Sequence, residues 1–145
     1  MLTKNQRAYL AGFLDGDGSI YVRLKPNPTY KYGFQVAPYI VLFQSQKDQK
    51  KFGEICALIR IGHLRVRKDG ILEYIISRIE ALHKFLTIVK PFLILKRNQA
   101  DLMLKILKEK KNIKNKRDFE KLARLVDRFR NLNYSKKRKK HILTL

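Results

Sequence analysis

Leu10-Ala11-Gly12-Phe13-Leu14-Asp15-Gly16-Asp17-Gly18 begins in a helical rhythm and closes on alternating aspartate and glycine. From Lys4 to Leu14, Ala8, Ala11 and Gly12 form a small-residue face with Leu10 and Leu14 beside it. That pattern predicts a first helix, ended by the run Asp15-Gly16-Asp17-Gly18. Gly12 and Gly16 lie four apart, a spacing that lets a second helix backbone approach closely. The plainer reading is a helix packed on its own sheet with a glycine-rich C-terminal cap. Asp15 and Asp17 stand where the helix dipole is also negative. Such a pair calls for compensation, and a hard divalent cation with oxygen ligands supplies it.

Downstream the period changes from helical to alternating. Ile20, Val22 and Leu24 alternate with Tyr21, Arg23 and Lys25, which predicts a strand with one apolar face and one basic, aromatic face. Pro26-Asn27-Pro28-Thr29 makes a turn, and a longer strand is expected from Tyr32 to Gln44. Pro38 within it requires an edge, a bend or a bulge. A helix from Asp48 to Ile61 follows, then Gly62 and a hairpin. In the hairpin Leu64 and Val66 alternate with Arg65 and Arg67, the turn is Lys68-Asp69-Gly70, and the return strand runs from Leu72 to Ser77. Three helices close the pattern, marked by Leu82 to Val89 before Pro91, Ala100 to Leu107, and Phe119 to Phe129, with a basic loop at Lys110 to Arg117. The expected fold class is α+β: four antiparallel strands with helices over one face, in the order α-β-β-α-β-β-α-α-α.

The charge narrows the function. Lys and Arg number 33 against 12 Asp and Glu, a formal +21 on 145 residues, while the apolar fraction is an ordinary 45%. A folded chain so basic needs an anionic partner, and nucleic acid is the commonest one. Cys56 is the only cysteine, which excludes an intrachain disulfide and a thiolate cluster; it reads as a small core residue. His63, His83 and His141 lack zinc-ligand spacing. No signal peptide or bilayer-spanning segment is read at the N-terminus, so an intracellular chain without a membrane partner is expected. The basic strand face, Tyr21, Arg23, Lys25, Arg65 and Arg67, suits a DNA major groove, with Gln35, Tyr39 and Glu73 as further hydrogen-bonding groups. Asn27, Tyr30 and Gln44 complete the candidate DNA contacts; a solvated strand face is the plain alternative.

The quoted segment resembles the signature of the LAGLIDADG homing endonucleases. Ser19-Ile20, Lys25-Pro26-Asn27, Gln46-Lys47, Pro91-Phe92-Leu93, Leu95-Lys96 and Gln99-Ala100 are similar to the single-motif group encoded in organellar introns. The resemblance implies an αββαββα core with a saddle-shaped antiparallel sheet, one endonuclease domain over residues 1–132, and a basic tail over 133–145. One motif per chain implies a homodimer on a near-palindromic site, with Leu10, Ala11, Gly12, Phe13, Leu14, Asp15 and Gly16 at or beside the subunit interface. It further implies Asp17 as the metal-ligand carboxylate, the Gly16 carbonyl as a second ligand, Asp15 as a structural residue, Gln46 as the residue that orients water, and Lys96 as the stabiliser of developing charge. Gln44 competes with Gln46 for the water-orienting role.

The implied cofactor is Mg²⁺, with Mn²⁺ or Ca²⁺ as substitute ligands and Ca²⁺ not supporting cleavage. Double-stranded DNA is the implied substrate, cut to leave 3′ overhangs. Ser135, Lys136 and Arg138 match a loop that touches the DNA backbone. The setting is an organelle, chloroplast or mitochondrion, or a prokaryotic cytoplasm. The competing readings are a non-cutting nucleic-acid binder, such as an intron RNA maturase or a regulator, and a basic ribosomal protein.

Overall fold

The structure, a computed structural model, describes residues 1–133. Five helices and four strands follow in the expected order: α1 (Lys4–Asp17), β1 (Gly18–Pro26), β2 (Phe34–Ser45), α2 (Gln49–Ile59), β3 (His63–Val66), β4 (Ile71–Ile76), α3 (Ile79–Val89), α4 (Arg97–Lys111) and α5 (Lys116–Leu132). Single turns of 3₁₀ helix, Gln46–Asp48 and Lys90–Phe92, precede α2 and follow α3. The strands form one sheet in the order β1-β2-β4-β3. No described helix is long and apolar enough to cross a membrane.

The described residues divide into two compact units, Met1–Ile20 with Tyr39–Arg97, and Tyr21–Pro38 with the chain from 98 to 133. In the first, β4 is paired antiparallel on both sides. Ile40, Leu42 and Gln44 of β2 stand opposite Ile76, Tyr74 and Leu72, and β3 places Leu64 opposite Tyr74 and Val66 opposite Leu72. Ile40, Leu42, Leu72, Tyr74 and Ile76 are buried, as are Leu10, Ala11 and Leu14 of α1 and Leu82, Phe85 and Leu86 of α3, and α1 packs on α3. In the second unit, Phe119 of α5 stacks on Tyr32 at 5.1 Å and lies 6.4 Å from Phe34. Gln99 Nε2 donates to the Leu132 carbonyl at 2.9 Å, joining the start of α4 to the end of α5.

Helix α1 ends at Asp17, inside the expected run Asp15 to Gly18. A helical glycine costs only about 1 kcal/mol relative to alanine, which the buried Leu10, Ala11 and Leu14 offset. The stop is Gly18, whose N–H donates to the Leu14 carbonyl; a Cβ there would lie 2.6 Å from Leu14 Cδ1 and 2.8 Å from that carbonyl oxygen. Several expectations need correction. Leu64 and Val66, expected under the helices, are 41% and 48% exposed, because β3 is the edge strand. Pro38 lies in a continuous inner strand, but β4 pairs only with Ile40 to Ser45, so the missing N–H breaks no bond of that ladder. The basic loop shrinks to residues 112–115, since Lys116 and Arg117 already belong to α5, capped by Asn115. Helix α2 covers Gln49–Ile59 and ends at Arg60, whose φ of 59° gives the left-handed cap.

Gly62 has a steric reason to be glycine. Its N–H donates to Tyr74 Oη at 2.8 Å, and a Cβ would fall 2.5 Å from the Ile75 carbonyl oxygen and 2.9 Å from two ring carbons of Tyr74. Gly62→Ala is therefore expected to cost about 2 kcal/mol and to lower the melting temperature by several degrees. An unchanged melt would show that the hairpin yields freely.

Candidate active site and nucleic-acid face

The acidic corner is built by two aspartates with different surroundings. Asp15 is turned back into the chain: its Oδ2 accepts from the Ile94 and Leu95 backbone N–H groups at 2.8 and 3.2 Å, and its Oδ1 from that of Lys96 at 3.0 Å. Three successive amides aimed at one carboxylate form an anion-binding nest. The same residue's carbonyl accepts from Lys96 Nζ at 2.6 Å. Asp15 thus finds its compensation within the chain, which corrects the reading that both aspartates await a cation. Asp17, the last residue of α1, is exposed and makes none of these bonds.

Lys96 is only 9% exposed. Burial pushes its ammonium below the ordinary lysine range, against the opposing pull of the Asp15 and Asp17 carboxylates. Asp15, Asp17 and Lys96 therefore form one electrostatic unit. Gln46 belongs to the same compact unit. It is exposed, at the start of the 3₁₀ turn after β2, and its N–H donates to the Gly70 carbonyl at 2.9 Å, joining it to the hairpin that carries Arg67. No described hydrogen bond joins it to the acidic corner.

Among the described residues no group of three or more His, Cys, Asp or Glu could hold a metal ion. One chain offers the Asp17 carboxylate and, in the last helical turn, the Gly16 carbonyl, since those of Leu14 and Asp15 already accept from the Gly18 N–H and Lys96 Nζ. That donor set is oxygen-only and suits a hard cation, which fills its other positions with water or substrate oxygens.

The outer face of α1 carries small residues left open to solvent. Leu10, Ala11 and Leu14, expected at or beside an interface, are fully buried in the subunit's own core. Phe13 is half-buried, 5.8 Å from Phe52. Gly12 and Gly16 are exposed, with Ala8 and Tyr9 beside them, and a Cβ on either glycine would meet nothing within 4 Å. Nothing in the described chain requires those two residues to be bare. Tyr9 at 55% exposed, Ile94 at 82% and Leu95 at 62% add apolar surface that the sequence reading missed. Only the helical phase of Tyr9 could have signalled any of it.

The sheet face divides by register. Arg65 lies opposite Glu73, with its Nη1 3.9 Å from Glu73 Oε1, and Glu73 in turn lies opposite Phe43. Gln44 points the other way, on the side of buried Leu72, with its Oε1 accepting from the Ser45 N–H at 2.9 Å. It leaves both the list of DNA contacts and the competition with Gln46. Arg67 is exposed and tied to Asp69 at 2.7 Å. In the other unit the Arg23 guanidinium lies over the Tyr21 ring at 5.4 Å, Lys25 is half-buried and Tyr30 is exposed. Asn27 Oδ1 accepts from both the N–H and the hydroxyl of Thr29, a turn-building role. Gln35 and Tyr39 are half-buried along β2. Ser135, Lys136 and Arg138 lie outside the described residues. Cys56 is buried, with its thiol pushed up to about 11 by desolvation, as a core residue should be.

The family model for LAGLIDADG endonucleases matches residues 10–103. The chain is 42% identical over 135 residues to the DNA endonuclease I-CreI of Chlamydomonas reinhardtii, covering 90% of this chain and 80% of that one. It is 34% identical over 131 residues to the DNA endonuclease I-CvuI of Chlorella vulgaris, covering 90% and 81%. The crystal structure of I-CvuI with the I-CreI target, in Mg²⁺ and with the DNA uncleaved, superposes with a TM-score of 0.88 at 32% identity, covering 94% of this chain and 87% of that one.

Proposed function

The chain belongs to the LAGLIDADG endonuclease family, and from that premise we infer that it is a homing endonuclease, hydrolysing phosphodiester bonds of double-stranded DNA at a specific site. We propose that residues 1–132 are its working domain and the basic end from 133 a tail on the DNA backbone. Within the cell the setting is a genome, in an organelle or a prokaryotic cytoplasm.

The observation that carries the mechanism is the division of labour between the two aspartates. Asp15 fixes the corner and Asp17 is left exposed beside a buried lysine. Asp17 and the Gly16 carbonyl would hold Mg²⁺, which when bound supplies an activated water and neutralises phosphate charge. Gln46 orients the attacking water through its amide. Lys96, held by the Asp15 carbonyl, faces the charge that grows on the phosphate and the departing 3′ oxygen. Its depressed proton affinity lowers the cost of giving a proton to that oxygen. Arg23, Lys25, Arg65 and Arg67 follow the groove.

The exposed, open Gly12 and Gly16 on α1 favour a homodimer on a near-palindromic target, with these glycines of two chains in contact and both strands cut to leave 3′ overhangs. Gly12→Leu is expected to raise the dimer dissociation constant about a hundredfold or more, read by sedimentation, and to lower cleavage in parallel. An unchanged dimer would move the interface elsewhere. The reading as a whole is tested on a randomised duplex library with Mg²⁺ and with chelator. Recovery of one near-palindromic cut site only in Mg²⁺ is expected, whereas binding without cutting on every member would leave a nucleic-acid binder such as a maturase.

A further inference from the structure

The face of β4 away from the core carries Ile71, Glu73 and Ile75, standing opposite Ser45, Phe43 and Val41 of β2, with Arg65 and His63 of β3 opposite Glu73 and Ile75. Directly opposed residues share a face. This part of the sheet is therefore not uniformly basic. Val41 is buried, but Phe43, Ile71 and Ile75 remain partly exposed around the Arg65–Glu73 pair. Apolar side chains pressed against phosphates or base-edge donors would leave those groups unpaired, at a cost. The major groove offers one apolar feature, the C5-methyl group of thymine.

We propose that Phe43, Ile71 and Ile75 determine part of the target sequence by packing on thymine methyl groups. The inference rests on the endonuclease reading, which places this face in the groove. Ile71 and Ile75 are four residues apart, about 13 Å along a strand, which spans about four base pairs at ~3.4 Å each. Phe43 stands across from the residue midway between them. Each half-site should therefore contain two or three thymines, on either strand, within about four consecutive base pairs.

The test replaces thymine by deoxyuridine, which lacks only the methyl group, one position at a time in the cut site recovered from the library. Binding is followed by fluorescence anisotropy in chelator, and cleavage in Mg²⁺. Deoxyuridine is expected to weaken binding about three- to tenfold at two or three positions within one four-pair window. Phe43→Ala and Ile75→Ala should each erase that sensitivity at one position, with folding checked by circular dichroism. A wild-type protein that binds and cuts equally well with deoxyuridine throughout, or a target without thymine in any such window, overturns the proposal while leaving the endonuclease intact. Failure to bind any duplex removes the endonuclease reading and this inference with it.

Discussion

Asp17→Asn is expected to reduce cleavage by about a thousandfold or more while leaving the fold and DNA binding in place. The loss follows from charge: asparagine keeps the size but removes the anion that would hold a divalent cation against the scissile phosphate, an effect of several kcal/mol on the barrier, at about 1.4 kcal/mol per tenfold in rate. The preserved fold follows from geometry, because Asp17 is exposed and the bonds that secure the corner belong to Asp15. Cleavage of the selected duplex, its binding affinity and the thermal melt separate these effects. A variant that still cuts at the wild-type rate would remove Asp17 from the metal site.

Asp15→Ala should do the opposite to the fold. Three amide hydrogen bonds to a carboxylate vanish together, and the backbone of 94–96 is left with donors aimed at a methyl group. Bonds to charged groups contribute about 1.5–3 kcal/mol each. Since Ile94 and Leu95 are exposed and water can replace part of the loss, the expected cost is about 3 kcal/mol in all, a drop of about 10 °C in melting temperature. Cleavage should fall as well, because the segment that presents Lys96 keeps only the bond from Lys96 Nζ to the residue-15 carbonyl. Asp15→Asn, which keeps one carbonyl acceptor, should fall between the two. Wild-type stability in Asp15→Ala would show that the nest is not what secures this segment.

The element order was legible because the hydrophobic period changes cleanly from helical to alternating and back, as at Ile20 to Lys25 and Leu82 to Val89. So was the end of α1 in the run Asp15 to Gly18, where Gly18 stops the helix. Leu64 and Val66 misled: alternation reports which residues share a face, not whether a helix covers it, and an edge strand can leave its apolar side open. Gln44 was misplaced by one residue of parity, which moves a side chain through the sheet. Asp17, Gln46 and Lys96 were marked by their likeness to the family. What Asp15 does was invisible locally, because its partners are 79 to 81 positions away.

That separation bears on how the protein is made. Closing so long a loop carries an entropic cost that its contacts must repay. On the proposed mechanism, a half-folded chain would carry the acidic helix end without Lys96 and so would have no working scissors.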